Sequence, residues 1–400
     1  SQSEVRFNAA RRGWLTTFEN FNEPFLSTHN SQIKLNATAQ PIPDLTIDLF
    51  ADKQYTSNLR ETFRIDQSDA ITFNYESLLG NTQGNFSMST LMIKTFFSSG
   101  TQELSENFES FKANRLTIAN RLSAARPELP ADLDANGFPQ SYGKTSQQVL
   151  LASFIAAYTG VSPDKVGLSA FDKTPIPNWN MKYTGLMRLD WFKDHFTRFT
   201  ISHGYRAAYS VNSYATNLEK ENSTFNPETL DVRPDYIFNN LVLNDEFNPL
   251  VRIDFESKNN LSMLFEMKMD RALSMSFDNN LLTEIQGKEF TLGVGYRIKD
   301  VQFVTNIGGA KQRLKSDLNI KADLSLRDNY TLIRNLELDN TKVSAGQYFL
   351  SAKLRAEYAL SQNLNALFFY DFTFSKYAVS TAFPQSLINT GISLRYNFGN

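Results

Sequence analysis

The 400-residue chain contains no cysteine, and this absence removes several kinds of chemistry. Without thiols there are no disulfide bonds, no thiolate nucleophile and no zinc–thiolate centre. A dominant charge is also missing, because 40 Lys and Arg stand against 42 Asp and Glu, a formal net charge of −2. Such a chain has no overall field to attract nucleic acid, and we expect no nucleic-acid partner.

Long apolar runs are missing as well, since no segment approaches the roughly 20 apolar residues that a membrane-spanning helix requires. This excludes a helical membrane protein. No signal peptide opens the chain at Ser1, so we expect a mature protein or a fragment of one. A transmembrane β-barrel remains open, because only every second residue of its strands faces lipid. The aromatic content of 13% fits lipid-facing girdles.

Catalytic motifs are absent too. The chain contains no P-loop, GxGxxG, HExxH or GxSxG sequence. Its three histidines, His29, His195 and His203, have no nucleophile or paired carboxylate at motif spacing. His203 falls between Ile201 and Tyr205 on the apolar positions of a strand, which favours an interfacial role. The sequence therefore predicts a protein that is not an enzyme and has no catalytic residue and no cofactor.

Strict alternation of apolar and polar residues is what the chain does have, most clearly at its last stretch, TGISLRYNFGN at 390–400. Alternate positions here carry Ile392, Leu394, Tyr396 and Phe398. One face of this strand is therefore apolar and the other polar. That pattern is typical of a soluble edge strand or of the closing strand of an outer-membrane barrel, where these side chains would also form an assembly signal.

Similar alternation predicts about thirteen strands, near 31–40, 45–65, 70–79, 85–98, 179–191, 197–213, 249–257, 261–285, 289–298, 301–338, 345–360, 364–376 and 387–398. Across Gly308 and Gly309 the alternation shifts by one residue, so that the apolar side chains change faces, and this shift predicts a bulge. The fold class is therefore all-β, a transmembrane antiparallel β-barrel segment of about 13–14 long strands. The side chains predicted to face lipid are Trp179, Met181, Tyr183, Phe265, Met267, Leu292 and Tyr296.

The lengths of the connections between strands indicate which face of the sheet lies on the outside of the barrel. Counted back from the C-terminus, every second connection is tight, at 361–363, 299–300, 258–260, 192–195, 80–84 and 41–44. The long excursions, 99–178 and 214–248, fall at the other rim. Because outer-membrane barrels have short periplasmic turns and long extracellular loops, we predict the outer membrane of a Gram-negative bacterium, with the C-terminus periplasmic.

This reading divides the chain into barrel strands at 1–98, an extracellular loop insertion at 99–178 and barrel strands at 179–400, the last of them closing. Two short helices are predicted within the insertion, where they would cap or line the barrel mouth. The first rests on the helical spacing of Leu104, Phe108, Phe111, Ile118 and Leu122. The second would begin at a capping box of Thr145 and Gln148 and end at Gly160.

Between these helices, Asp132, Asp134, Asn136 and Gly137 match the opening of a calcium-binding loop. The position that should carry the bidentate Glu is Gly143. A tight turn held by Asx hydrogen bonds is therefore the default reading, and the three side chains of Asp132, Asp134 and Asn136 are only weak metal candidates.

Several long stretches carry a resemblance to a known family. They are NATAQPIPDLTIDLFADKQYTSN at 36–58, DLDANGFPQSYGKTSQQVLLASFIAAYTG at 132–160, KTPIPNWNMKYTGL at 173–186, SHGYRAAYSV at 202–211, SDLNIKADLSLRDN at 316–329 and TAFPQSLINTGISLRYNFGN at 381–400. In these stretches, spread in order over nearly the whole chain, the sequence resembles the C-terminal portion of the SprA (also called Sov) family, the outer-membrane translocon of the type 9 secretion system of Bacteroidota.

The resemblance implies a function that the residues alone do not. It implies part of a wide, gated pore through which folded cargo proteins with type 9 secretion signals, gliding adhesins among them, leave the periplasm. It also implies a lateral opening to the outer-membrane lipid, a PorV-type barrel partner and a periplasmic plug protein. Further strands upstream would then complete the barrel.

Other readings stay open at this stage. A self-contained outer-membrane channel of about 14 strands could pass small molecules. A soluble β-rich protein could bind carbohydrate, and an outer-membrane lipid hydrolase would need a Ser–His pair that the sequence does not offer.

Overall fold

A computed structural model describes residues 5, 8–9, 12–14, 24–66, 74–98, 105–130, 132–171, 174–307, 310–361, 363–379 and 383–396. Leu104, Gly308, Gly309 and Phe398, which were used above, therefore lie outside the described part of the chain. Among the described residues, no helix has both the length and the apolar character to cross a membrane.

Thirteen strands make up a single sheet within the described residues. They are β1 (Phe25–Ala39), β2 (Leu45–Asp66), β3 (Asn74–Ser89), β4 (Asn178–Tyr183), β5 (Phe196–Thr216), β6 (Tyr236–Phe238), β7 (Asn240–Ser257), β8 (Leu261–Ser276), β9 (Leu281–Ile307), β10 (Ala310–Asn335), β11 (Asn340–Ala359), β12 (Leu364–Tyr377) and β13 (Gln385–Tyr396). The described helices are α1 (Ile93–Phe96), α2 (Glu106–Ala124), α3 (Gln147–Thr159), a 3₁₀ turn (Gly185–Arg188), α4 (Asp190–His195) and α5 (Glu219–Asn222).

Every strand pairing in the sheet is antiparallel, and the main path runs β1-β2-β3-β5-β7-β8-β9-β10-β11-β12-β13. The predicted all-β class, with about thirteen long antiparallel strands and a small helical insertion, is confirmed, and closure into a transmembrane barrel stays a prediction. In the described part of the chain β1 pairs only with β2 and β13 only with β12, so this sheet is an open wall. We call the rim that carries the connections 277–280 and 336–339 the upper rim, and the rim at 40–44 and 258–260 the lower rim.

Two predicted turns are wrong. Residues 299–300 do not end a strand, because β9 continues to Ile307 and pairs with β10 on both sides of this point. The irregularity there is a bulge: the register shifts between Ser316 and Leu318, and the Asp317 carboxylate accepts the Asp300 N–H at 3.2 Å. A bulge and a hairpin turn can both shift the alternation of apolar and polar residues by one position, so alternation alone could not tell them apart.

The second wrong turn is 80–84, which lies inside β3. The predicted strand at 85–98 also stops early, at Ser89, and the chain returns to the sheet at Asn178 as β4. Both β3 and β4 lie between β2 and β5, β3 along their upper part and β4 along their lower part. Together they fill one strand position, from which residues 90–177, here called the insertion, depart midway.

Side chains complete the sheet where the insertion leaves. The Asn178 amide donates to the Ala207 carbonyl at 3.1 Å and accepts the Ala207 N–H at 2.9 Å. On the other side, Ser89 Oγ accepts the Asp52 N–H at 2.7 Å and donates to the Asp52 carbonyl at 3.0 Å. The backbone groups of both neighbouring strands are thus satisfied across the gap, as buried polar groups require.

The insertion has a helical core. From α2 it buries Phe108, Phe111 and Ile118, and most side chains of α3 are buried. Ser146, not Thr145, is the N-cap of α3, and it makes no capping hydrogen bond, so the predicted capping box is wrong. Gly160 ends α3 in the left-handed conformation, at φ 70°, as predicted.

Candidate functional site: the two faces of the sheet

One face of the sheet carries a continuous apolar band. Residues directly opposite each other in neighbouring strands share a face, so the register can be followed across the sheet. A single row of such partners runs through ten strands and contains only apolar side chains: Leu45, Tyr183, Ile201, Ile253, Phe265, Leu292, Leu324, Ala352, Phe372 and Ile388.

On β9 the band extends from Phe290 to Ile298, with an apolar side chain at every second residue. This distance is about 26 Å along the strand, or about 20 Å along the membrane normal at a strand tilt of about 40°. Transmembrane barrels have an apolar belt of about 25 Å. The height of the band is therefore close to that of such a belt.

Charged side chains mark the upper edge of the band on the same face. On four of the strands the first residue above the band is charged: Arg271 on β8, Lys288 on β9, Asp328 on β10 and Lys376 on β12. Inside the band, by contrast, apolar side chains are exposed: Phe265 is 39% accessible, Leu324 41% and Ile392 74%. An exposed apolar surface of this extent needs a covering, and no described residue supplies it.

The predicted lipid-facing residues all lie on this face. Trp179, Met181 and Tyr183 pair with Tyr205, His203 and Ile201, and the rest follow the same register. Ile392, Leu394 and Tyr396 on β13 belong to it as well, paired with Phe368, Ala366 and Leu364. The structure thus brings the two predicted sets together on one surface, and their contact with lipid stays a prediction.

The opposite face, here called the polar face, is lined by charges at the same height. Cross-strand ion pairs join Arg252 to Glu266 at 3.1 Å and Arg355 to Asp371 at 2.7 Å. Arg198 bonds Asp254 at 2.7 Å. All of these side chains except that of the buried Glu266 are partly exposed, so they suit a wall that faces water.

Aromatic residues gather near the lower rim. Trp191 of α4 stacks on His195 with ring centroids 4.7 Å apart, and His195 Nδ1 lies 2.7 Å from the Trp191 carbonyl. Phe196 contacts Phe199 and Phe255 at 5.4 and 5.0 Å. Trp191 is 60% exposed. Such half-polar aromatics are typical of a membrane–water interface, and among the described residues no carboxylate or nucleophile contacts the His195 imidazole, although Ser257 Oγ donates to the His195 backbone carbonyl at 3.2 Å.

The insertion packs on the band-bearing face, directly above the band, and not across the polar face. That its helices cap or line the barrel mouth stays a prediction. Its core merges with upper-sheet side chains such as Tyr209, Leu243 and Met275. Met92 N–H donates to the Tyr205 hydroxyl at 2.8 Å, and the Tyr209 hydroxyl donates to the Ala170 carbonyl at 2.7 Å.

A buried ion pair fixes the insertion to β7 and β8. Arg271 donates to both carboxylate oxygens of Asp245, at 3.0 and 2.8 Å, and both side chains are almost completely buried. Its remaining guanidinium donors reach the Thr95 carbonyl and hydroxyl at 2.9 and 3.2 Å. The guanidinium also lies 5.3 Å from the Phe96 ring. One side chain of the sheet thereby holds the segment that includes α1.

A second buried pair, Arg334 and Glu284 at 3.2 Å, does the same on β9 and β10. The Arg334 guanidinium lies 5.0 Å from the ring of Phe108 on α2. Nearer the upper rim, Lys112 of α2 pairs with Asp339 at 2.8 Å. Because both buried pairs are satisfied by hydrogen bonds, they can be buried without a large penalty.

Sequence reasoning missed these four charges, although the pattern contained a signal. Each of them stands at a strand position where the alternation places an apolar side chain, as Arg271 does between Met269 and Leu273. The four are Asp245, Arg271, Glu284 and Arg334. A charge at such a position requires a polar partner on that same face. The exceptions to the alternation therefore mark the surface where the insertion docks.

The Asp132–Gly137 segment forms a turn. The Asp134 carboxylate accepts the N–H groups of Asn136 and Phe138, both at 2.8 Å, as an Asx turn does. Within the described ranges, no three His, Cys, Asp or Glu side chains gather in a metal-binding group. The turn adjoins Asp231, which accepts the Gly143 N–H at 2.5 Å, and burial raises the pKa of the Asp231 carboxyl.

Comparison with known proteins adds little. No protein-family model matches the chain, and no curated protein matches it. One similar solved structure is OmpT, an outer membrane protein of Vibrio cholerae in its trimer form, at 9% identity over 94% of this chain and 99% of that one. The TM-score of 0.23 is too low for this likeness to carry an argument.

Proposed function

We propose that this chain forms part of the wall of an outer-membrane β-barrel pore. The observation that carries the proposal is the two-faced sheet: an exposed apolar band of bilayer height on one side and cross-strand ion pairs on the other. Long antiparallel strands satisfy their own backbone groups, which a lipid environment demands. The apolar band would contact lipid, and the polar face would line water.

The pore is proposed to export folded proteins that carry type 9 secretion signals, including gliding adhesins. Support comes from the sequence stretches that resemble the SprA/Sov family and from a wall that is wide and unclosed within the described residues. Further strands would complete the barrel, with a PorV-type barrel and a periplasmic plug protein as partners. The protein is proposed to have no catalytic step of its own, and its loops to be extracellular.

Depletion of the protein in its own bacterium would test this function. Cargo proteins with the type 9 signal domain should then accumulate in the periplasm and disappear from the cell surface, as quantitative mass spectrometry of both fractions would measure. Unchanged export together with slower uptake of small solutes would contradict the proposal and favour a self-contained channel.

A further inference from the structure

A cavity of about 250 Å³ lies where the insertion meets the upper edge of the apolar band. Its floor includes Met269, the last apolar residue of β8 within the band. Phe97 and Ser98, which follow α1, form one side, and Lys288 of β9 lies at another. The cavity therefore has apolar and polar walls at the height where lipid headgroups begin.

Three cationic residues, Arg271, Arg334 and Lys288, and two acidic ones, Glu284 and Asp270, line this cavity. The guanidinium groups of Arg271 and Arg334 form part of its lining, but each is matched by a buried carboxylate. Lys288 is exposed and forms no ion pair with any residue that the structure describes. Asp328 lies directly opposite it on β10 without an ion pair between them. The ammonium group of Lys288 is thus available to an anion.

Phe97 supplies an apolar contact beside that charge. It is 56% exposed although its ring lies 5.1 Å from Phe96 and 5.3 Å from Phe247. Phe247 is directly opposite Met269, so Phe97 sits against the top row of the band. An exposed aromatic ring at this height is suited to the region between headgroups and acyl chains.

A separate groove of about 220 Å³ lies lower on the same face, between β9 and β12. It forms where the small side chains of Ala322 and Ala352 lie between larger neighbours, Leu292, Leu324 and Tyr370. Leu292 is four residues below Lys288 on β9, or about 13 Å along the strand. A chain of methylene groups extending from the cavity would pass Phe290 and enter this groove.

We propose that the cavity and the groove together bind one membrane lipid through a phosphate in its headgroup. Lys288 would pair with the phosphate, Phe97 and Met269 would contact the glycerol or sugar region, and one acyl chain would lie in the groove at Ala322 and Ala352. This inference rests on the proposed membrane location, since it needs the apolar band to face lipid. The phosphate could belong to a phospholipid or to lipid A.

Lipid binding to the full chain, folded in neutral detergent micelles, would test the site. The probes are phosphatidylglycerol, monophosphoryl lipid A, diacylglycerol and inorganic phosphate, with affinity measured by native mass spectrometry and titration. A phosphate-bearing lipid should bind more tightly than diacylglycerol or inorganic phosphate, and the tighter of the two lipids names the source. Equal binding of diacylglycerol would overturn a phosphate site.

Three variants sharpen the test. Lys288→Gln should weaken binding of the phosphate-bearing lipid about fivefold, as expected for one cation near a membrane surface. Ala352→Leu, which fills the groove, should weaken it as well. The matched control, Lys321→Gln on the polar face, should leave it unchanged. Equal loss in Lys288→Gln and Lys321→Gln, or loss in neither, would overturn the inference.

Failure of this site and failure of the membrane assignment can be told apart. If the folded chain exposes its band to lipid but binds it without dependence on Lys288, the lipid site alone is wrong. If the band is exposed to water, both are wrong. Protease resistance of each variant in micelles, compared with that of the unmodified chain, shows that lost binding does not arise from misfolding.

Discussion

Arg271 occupies a position on β8 where the alternation requires an apolar side chain, and its charge is matched there by Asp245 and Thr95. Arg271→Met should cost about 3–5 kcal/mol of unfolding free energy, because the Asp245 carboxylate remains buried without its partner. Denaturant unfolding of the chain folded in micelles would measure the loss. The double variant Arg271→Met, Asp245→Leu should recover most of it.

The matched control is Arg355→Met on the polar face, where the pair with Asp371 is partly exposed. It should cost only about 0–1 kcal/mol, as partly exposed pairs generally do. Similar costs for Arg271→Met and Arg355→Met would contradict the view that the first pair anchors the insertion.

Asn178 acts through its side chain at the gap in the sheet. Asn178→Ala removes both hydrogen bonds to Ala207 and leaves the Ala207 N–H unpaired, which should cost about 1–3 kcal/mol, whereas the Ala207 carbonyl keeps the Thr90 N–H at 3.0 Å. Hydrogen exchange should rise at the Ala207 amide in this variant. Asn212→Ala, an exposed position on the same strand β5, is the control. No change in Ala207 exchange would show that the gap is closed in another way.

Asp231 predicts a dependence on pH at the insertion. Burial is the largest cause of its raised pKa, a nearby Asp134 raises it further, and the Gly143 N–H opposes both. A raised pKa means that the folded state holds the proton more tightly. Its contribution to stability is therefore full below the ordinary carboxyl pKa and is lost as the pH rises through the folded value. Proteolysis of the insertion against pH should show this loss, and Asp231→Asn should flatten the profile.

Adjacent residues of one strand should respond in opposite ways to a new charge. Leu292 lies in the apolar band and Thr291 on the polar face, directly opposite Glu266. Leu292→Arg should cost about 2–4 kcal/mol if it meets lipid near the midplane, and Thr291→Arg should cost close to nothing. Unfolding from lipid bilayers would compare the two. Equal costs would contradict the assigned faces.

Strand positions could be predicted from the sequence where alternation was regular, and not where it was interrupted. The ends of β2 and β12 fall within about a residue of the expected ones. The bulge at Asp317 was taken for a turn at 299–300, because both events shift parity. The departure of the chain at Ser89 was missed, since the gap is closed by side chains of Ser89 and Asn178 that are distant in sequence.

At the scale of the whole molecule, alternation predicted the two faces and the antiparallel sheet, but not the position of the insertion. Helical spacing located α2 and α3, whereas their docking surface depends on four charges far apart in the chain. Those charges form two ion pairs only because the register of β7 to β10 places them opposite or near each other. The docking surface of the insertion is thus determined by strand pairing and not by local sequence patterns.

Which face of the sheet meets lipid can be measured directly, because the chain has no cysteine that would compete for a label. Single cysteines at each position from 288 to 298 of β9 can carry a spin label, with accessibility to oxygen in lipid and to a water-soluble nickel chelate recorded in bilayers. Even positions from Phe290 to Ile298 should be accessible to oxygen, odd positions to nickel, and position 288 should be outside the oxygen-rich zone. Nickel accessibility at the even positions, or no alternation, would contradict a membrane wall.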